Sequence, residues 1–315
     1  MAAFLDLVRF PNLLALAFAQ YVMRYAVILP LVRFYGAEPH LSGFDFFCLV
    51  FATICTAAAG YVINDYFDVK TDKINRPGKV VVGRAIARRK AVMTHIMLAA
   101  AGVLTGGYVT WKAGMPELAL VFMFVAGMLW LYSSIYKRLF LIGNVIVALF
   151  FALVPLLTLL DIPPVYKRYG DILLEKGANL DFAAYWILGV SAFVFLTALS
   201  HQIIKDAEDF EGDAAYGCRS LPIVLGNRTT KRVIVGINAA VAVMIGAMYL
   251  LFLKNIAGIF SLCYMLTLFA PLAFISWKVS NANSGSDYRR AGNLMKVVML
   301  AGIAYSGVLI FSFHS

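Results

Sequence analysis

The chain has 315 residues, 62% of them hydrophobic and 14% charged, with a formal net charge of +10. An ordinary soluble domain is about half apolar and a quarter charged, so water is not this chain's main solvent, and disulfide-rich secreted modules, collagen-like chains and disordered chains are excluded. The basic residues lie in short loops between apolar runs, which points to membrane topology rather than to a nucleic-acid-binding face.

At about 20 residues per crossing, the apolar runs predict nine helices, near 11–35, 43–66, 90–111, 115–135, 139–160, 182–204, 231–253, 256–277 and 292–313. No hydrophilic segment is long enough for a second domain, so the fold class expected is all-α, one polytopic membrane domain over 1–315. The first run lacks a short apolar core followed by a small-residue cleavage site, which reads as a retained helix. Nine crossings place Arg9 and the basic residues of 66–90, 137–138, 205–232 and 278–296 on one side, twenty of the 27 Lys and Arg; six fall on the other, and Arg24 lies within the first helix. The positive-inside rule makes the richer side cytoplasmic, with the N-terminus inside, the C-terminus outside and the protein in the cell inner membrane. Arg24 is expensive in lipid and is expected to face the bundle interior.

Cys48 and Cys55 lie about 10 Å apart along one helix, beyond disulfide reach. No CxxC pattern or Cys/His cluster suggests structural zinc. The informative residues are aspartates. Six of the twelve form two copies of one spacing, Asp65, Asp68 and Asp72 at the end of the second helix, and Asp206, Asp209 and Asp213 at the end of the sixth. At 100° per residue, i, i+3 and i+7 share an arc of about 60°, so each triplet presents three carboxylates on one helical face. Glu208 and Glu211 fall off that face and read as solvated helix-end charges. Asn64 and Lys205 precede the triplets; Tyr61 and Gln202 stand one turn deeper; Arg76, Pro77 and Gly83 follow the first, and Arg219, Pro222 and Gly226 the second. This weak internal repeat is expected to bring both acidic faces to one cytoplasmic mouth. Six like charges repel unless cations bridge them. Magnesium binds through a few carboxylates and completes its shell with water and phosphate oxygens, and nearby Lys and Arg make diphosphate the expected partner.

The stretches Asn64-Asp65-Tyr66-Phe67-Asp68-Val69-Lys70-Thr71-Asp72 to Asn75-Arg76-Pro77, and Lys205-Asp206-Ala207-Glu208-Asp209-Phe210-Glu211-Gly212-Asp213 to Ser220-Leu221-Pro222, resemble the two signatures of the UbiA superfamily of intramembrane prenyltransferases. The resemblance covers nearly the whole chain. It implies a helical bundle around a central cavity and transfer of an isoprenyl group from its diphosphate to an acceptor. It implies that Asn64, Asp65, Asp68, Asp72, Asp206, Asp209 and Asp213 hold Mg2+ and the diphosphate, with Arg76, Lys137, Lys205 and Arg219 as candidates for its oxygens. The family's Tyr/Lys motif is similar to Tyr132 and Lys137, but four residues separate them here and Tyr136 adjoins the lysine, leaving two candidate tyrosines. Tyr61, Tyr132 and phenylalanine rings could stabilise an allylic cation. Arg9 and Asn12, three apart, are expected to share a face of the first helix, either as an interfacial anchor or as a polar lining of the mouth.

The motif segments look most similar to the branch whose acceptor is a lipid-phosphate hydroxyl, such as geranylgeranylglyceryl phosphate. Lys73, Lys79 and Arg84 are candidates for the acceptor's phosphate. Quinone-pathway members that prenylate hydroxybenzoate or dihydroxynaphthoate share most of these residues. A magnesium or polyphosphate transporter is the non-enzyme alternative, disfavoured because the carboxylates lie at helix ends rather than at mid-membrane.

Overall fold

The computed structural model describes residues 2–76, 78, 80–178, 180–254 and 258–312. Pro77 and Lys79 lie outside the described residues. Among those described, nine helices are long and apolar enough to cross a membrane: α1 (Phe10–Phe34), α2 (Gly43–Asn75), α3 (Arg88–Lys112), α4 (Pro116–Ser134), α5 (Ile142–Glu175), α6 (Asp181–Glu208), α7 (Leu221–Leu253), α8 (Ser261–Ser280) and α9 (Gly285–Ile310). The described residues contain no strand, only an isolated bridge between Val82 and Ile86. All four cysteines are free.

The nine expected crossings are present, and several run beyond the expected bounds, the two largest extensions being in α5 and α7. Residues Ile162–Glu175, expected as a connection, are helical with a kink at Tyr169. Helix α7 starts at Leu221 rather than near 231. In both cases proline occupies the first turn, where its missing N–H is no loss and its fixed φ suits the helix.

The chain divides into two compact units. The first comprises Met1–Phe18, His40–Gly143 and Glu211–Cys218. Its centre is α2, packed against α3 and α4. A reciprocal cap starts α2: Ser42 Oγ accepts from the Asp45 N–H at 3.1 Å, and Asp45 Oδ2 accepts from the Ser42 N–H at 3.2 Å. Small buried residues, Ala52, Ala58, Ala59 and Gly60, let its neighbours approach closely. Helix α2 continues unbroken through Asp72 to Asn75; Arg76 then leaves helical geometry at φ −151°, as a residue before proline tends to.

The second unit comprises Ala19–Pro39, Asn144–Phe210 and Arg219–Ser315. Here α6 packs against α7 and α9, and α8 against α7 and α9. Trp186 is fully buried and donates to Ser306 Oγ at 3.0 Å. Arg24 faces inward as expected: it is buried and pairs with Asp161 at 3.3 Å. It sits in a π-helical stretch, Met23–Ile28, opposite a 3₁₀ turn, Leu157–Asp161, that follows Pro155. Gln20, one turn before Arg24, donates to the Val154 carbonyl at 3.2 Å. Large apolar side chains such as Met97, Leu104, Leu120, Phe124 and Val243 stand exposed on the helices, a surface suited to lipid.

Candidate active site

In the first unit the long α2 brings Tyr61, Asn64, Asp65, Asp68 and Asp72 along one face, as the spacing predicted, and each of the first two aspartates is met by a cation from elsewhere in the chain. Arg9 Nη2 donates to Asp65 Oδ1 at 2.8 Å, and its guanidinium lies 5.0 Å from the centre of the Tyr61 ring. Lys137 Nζ donates to Asp68 Oδ2, and Asn64 Nδ2 donates to the same oxygen at 2.7 Å. Arg76 is half-buried, and its N–H donates to the Asp72 carbonyl.

Arg9 and Asn12 do not share a helical face. Arg9 precedes α1 with φ +52°, a left-handed backbone that is uncommon for arginine. Both residues nevertheless reach Tyr61, Asn12 through a hydrogen bond to its hydroxyl. Burial works against the charge of the Arg9 guanidinium, but Asp65 and then Tyr61 hold its pKa above the usual arginine range. The same balance governs Lys137: burial opposes its charge, and Asp68, Tyr132 and Asp213 more than restore it, leaving the amine well above the ordinary lysine value. Lys137 is therefore a fixed cation, and Tyr132 is a tyrosine within its electrostatic reach. The Lys137 turn is pinned by Gly143, where an added Cβ would stand 2.9 Å from both the Lys137 Cα and the Tyr136 carbonyl oxygen.

The second triplet departs from expectation. Helix α6 ends at Glu208, Asp209 bends away at φ −92°, ψ 12°, and a short helix restarts over Phe210–Ala215. Aspartate competes with helical geometry through its own side chain, and Asp209 is engaged by Lys205 one turn back. The three carboxylates therefore do not ride one helical face. Asp206 and Asp209 belong to the second unit, whereas Asp213 belongs to the first.

Two further corrections concern polar neighbours. Glu208 is not a solvated end charge: its side chain is 7% exposed and accepts from Arg289 at 2.8 Å and Lys205 at 3.4 Å. Asp206 accepts from Asn144 Nδ2 at 2.8 Å, a residue absent from every motif considered. Gln202 is half-buried on α6, and Arg219, Lys73, Arg84 and Glu211 are exposed.

No three His, Cys, Asp or Glu side chains converge as a metal cage among the described residues. Magnesium does not require one, since it commonly binds one or two carboxylates and takes its other ligands from water and phosphate. The donor set of α2 fits that demand. Asn64 Oδ1, a hard oxygen acceptor beside Asp68, is buried without a hydrogen-bond partner, a state that ordinarily calls for explanation.

A family model described as the UbiA prenyltransferase family matches residues 26–300. The chain belongs to this family. A digeranylgeranylglyceryl phosphate synthase of Thermococcus kodakarensis is 31% identical over 263 residues, 82% of this chain and 83% of that protein. The enzyme of the same name from Pyrococcus horikoshii is 36% identical, but the match spans only 54% of this chain and 53% of its own length. Among solved structures, one of a digeranylgeranylglyceryl phosphate synthase superposes with a TM-score of 0.62 at 20% identity, covering 99% of this chain and 98% of that one. A UbiA homologue from Archaeoglobus fulgidus bound to DMAPP and Mg2+ has a TM-score of 0.55 at 15% identity, covering 96% and 98%. The protein is thus a multi-pass integral membrane prenyltransferase.

Proposed function

We propose that the protein transfers a geranylgeranyl group from its diphosphate to the hydroxyl of a lipid phosphate such as geranylgeranylglyceryl phosphate, in a magnesium-dependent reaction. The observation that carries this reading is the first acidic motif with its two imported cations, Arg9 on Asp65 and Lys137 on Asp68. Carboxylates beside fixed cations suit a metal diphosphate, because the acids take the metal and the cations turn to the phosphate oxygens. The relatives named for digeranylgeranylglyceryl phosphate synthesis supply the acceptor class.

In this reading Asn64, Asp65, Asp68 and Asp72, with Asp206, Asp209 and Asp213, hold the metal and diphosphate, and the whole of 1–315 acts as one domain. Bound magnesium supplies charge for the departing diphosphate as the allylic C–O bond breaks. Lys137, Lys205, Arg9 and Arg76 add donors to the same oxygens. The Tyr61 and Tyr132 rings would stabilise an allylic cation through their π faces, and the surrounding apolar helices would keep water from it. The acceptor hydroxyl gives up its proton as its oxygen bonds to the prenyl carbon. Arg219 is a further candidate for the diphosphate oxygens, and Lys73, Lys79 and Arg84 are left for the acceptor's phosphate. The motifs face the cytoplasm, with the C-terminus outside.

The decisive experiment offers the purified protein geranylgeranyl diphosphate with a prenylglyceryl phosphate, a hydroxybenzoic acid or a dihydroxynaphthoic acid. Prenylation of the glyceryl phosphate is expected. Exclusive prenylation of an aromatic acid would overturn the acceptor while leaving diphosphate chemistry standing. Orientation is tested by labelling from outside: a cysteine at Gly170 should react and one at Ala215 should not.

A further inference from the structure

Two residues of the motif segments have no part in the mechanism above, Asn75 at the end of α2 and Gly212 in the short helix Phe210–Ala215. They meet although 137 positions separate them: the Gly212 N–H donates to Asn75 Oδ1 at 2.8 Å. Gly212 lies in the first turn of its helix, where N–H groups have no acceptor within the helix itself. Asn75 thus caps that helix from another part of the chain. The contact leaves no space: a Cβ on Gly212 would stand 2.5 Å from the Asn75 amide atoms. Asp213 follows directly in sequence, and both Lys137 and the buried Cys218 sense the charges of Asp213 and Asp68.

We propose that Asn75 and Gly212 form a latch that moors the short helix, and with it Asp213, within reach of Lys137. Asn75 and Gly212 are positioning residues that act through Asp213, and this role rests on the reading of the acidic motifs as the metal-diphosphate site. A helix of six residues has little stability of its own, so an external cap decides whether it forms.

The test uses the full-length protein in detergent, with Asn75→Ala, Gly212→Ala and the double variant. Hydrogen exchange of the peptide spanning 210–215 should accelerate in each single variant while the unfolding midpoint holds; unchanged exchange would overturn the latch whatever the metal does. Binding of Mn2+, followed by loss of its free-ion paramagnetic signal, should weaken about tenfold in each single variant, the scale seen when a residue orienting a ligand is removed. The double variant should be no weaker than the worse single, because both substitutions destroy one contact. Multiplying effects would overturn the latch as a single device. Mn2+ binding that survives Asp65→Ala and Asp209→Ala would instead overturn the site assignment on which the role depends, a result separable from the exchange data.

Discussion

In the first acidic motif, Asp65, Asp68 and Asp72 ride an unbroken helix and draw their cations from distant parts of the chain, Arg9 and Lys137. In the second, the helix stops at Glu208, and Asp209 takes its cation from one turn back, Lys205. Two copies of one spacing have thus been put to different structural use. The first is rigid in backbone and assembled by tertiary contacts; the second is bent, with local pairing and support from Asn144 and Arg289. A repeat in sequence conserves residue chemistry more readily than geometry, because one non-helical residue, Asp209, redirects all that follows.

The largest effects should fall on both motifs alike. Asp65→Ala and Asp209→Ala are each expected to lower prenyl transfer by about 10³-fold or more, the scale of removing metal-borne charge stabilisation. Turnover within reach of wild type in either would remove that motif from the site, and chelation should mimic the loss reversibly. The cations should then separate the motifs. Lys137→Met is expected to cost about 10²- to 10³-fold in kcat, as for a preorganised donor, and Lys205→Met distinctly less, since local pairing positions little beyond itself. Equal losses would dissolve the distinction. Asn144→Ala should raise the magnesium requirement about tenfold with a smaller change in kcat, measured by magnesium titration of the initial rate. Arg24→Met should change turnover per folded molecule the least, while lowering stability by about 3–5 kcal/mol because Asp161 is left buried and charged; unfolding in detergent measures it, and a loss of turnover at unchanged stability would move Arg24 into the site.

The helices were legible because about 20 apolar residues in a row leave a chain few alternatives in a bilayer. The first triplet was legible for the same reason, being a pattern on a helix that stays a helix. The bend at Asp209 was not, since the spacing of the carboxylates carries no mark of where the helix stops. Asn144 carried no signal at all, a single amide at the start of an apolar run. Asp161 did carry one: a lone carboxylate at the end of an apolar run, in a chain whose first helix holds an unassigned arginine, is the partner that intramembrane charge demands. Lys137 was named only through the family resemblance, as a candidate for diphosphate oxygens; its pairing with Asp68 was not legible, because nothing local links residues 69 positions apart.

The polar seam between α1 and α5 bears on how the chain enters the bilayer. Pro155 has no N–H to give, so the Phe151 carbonyl one turn back loses its helical donor in the span where lipid offers none, and Asp161 adds a buried carboxylate at the end of the apolar run that needs a partner. Gln20 and Arg24 meet the Val154 carbonyl and that carboxylate, and both are synthesised more than a hundred residues earlier. The fifth crossing is therefore best accommodated in the membrane when the first is already there to receive it.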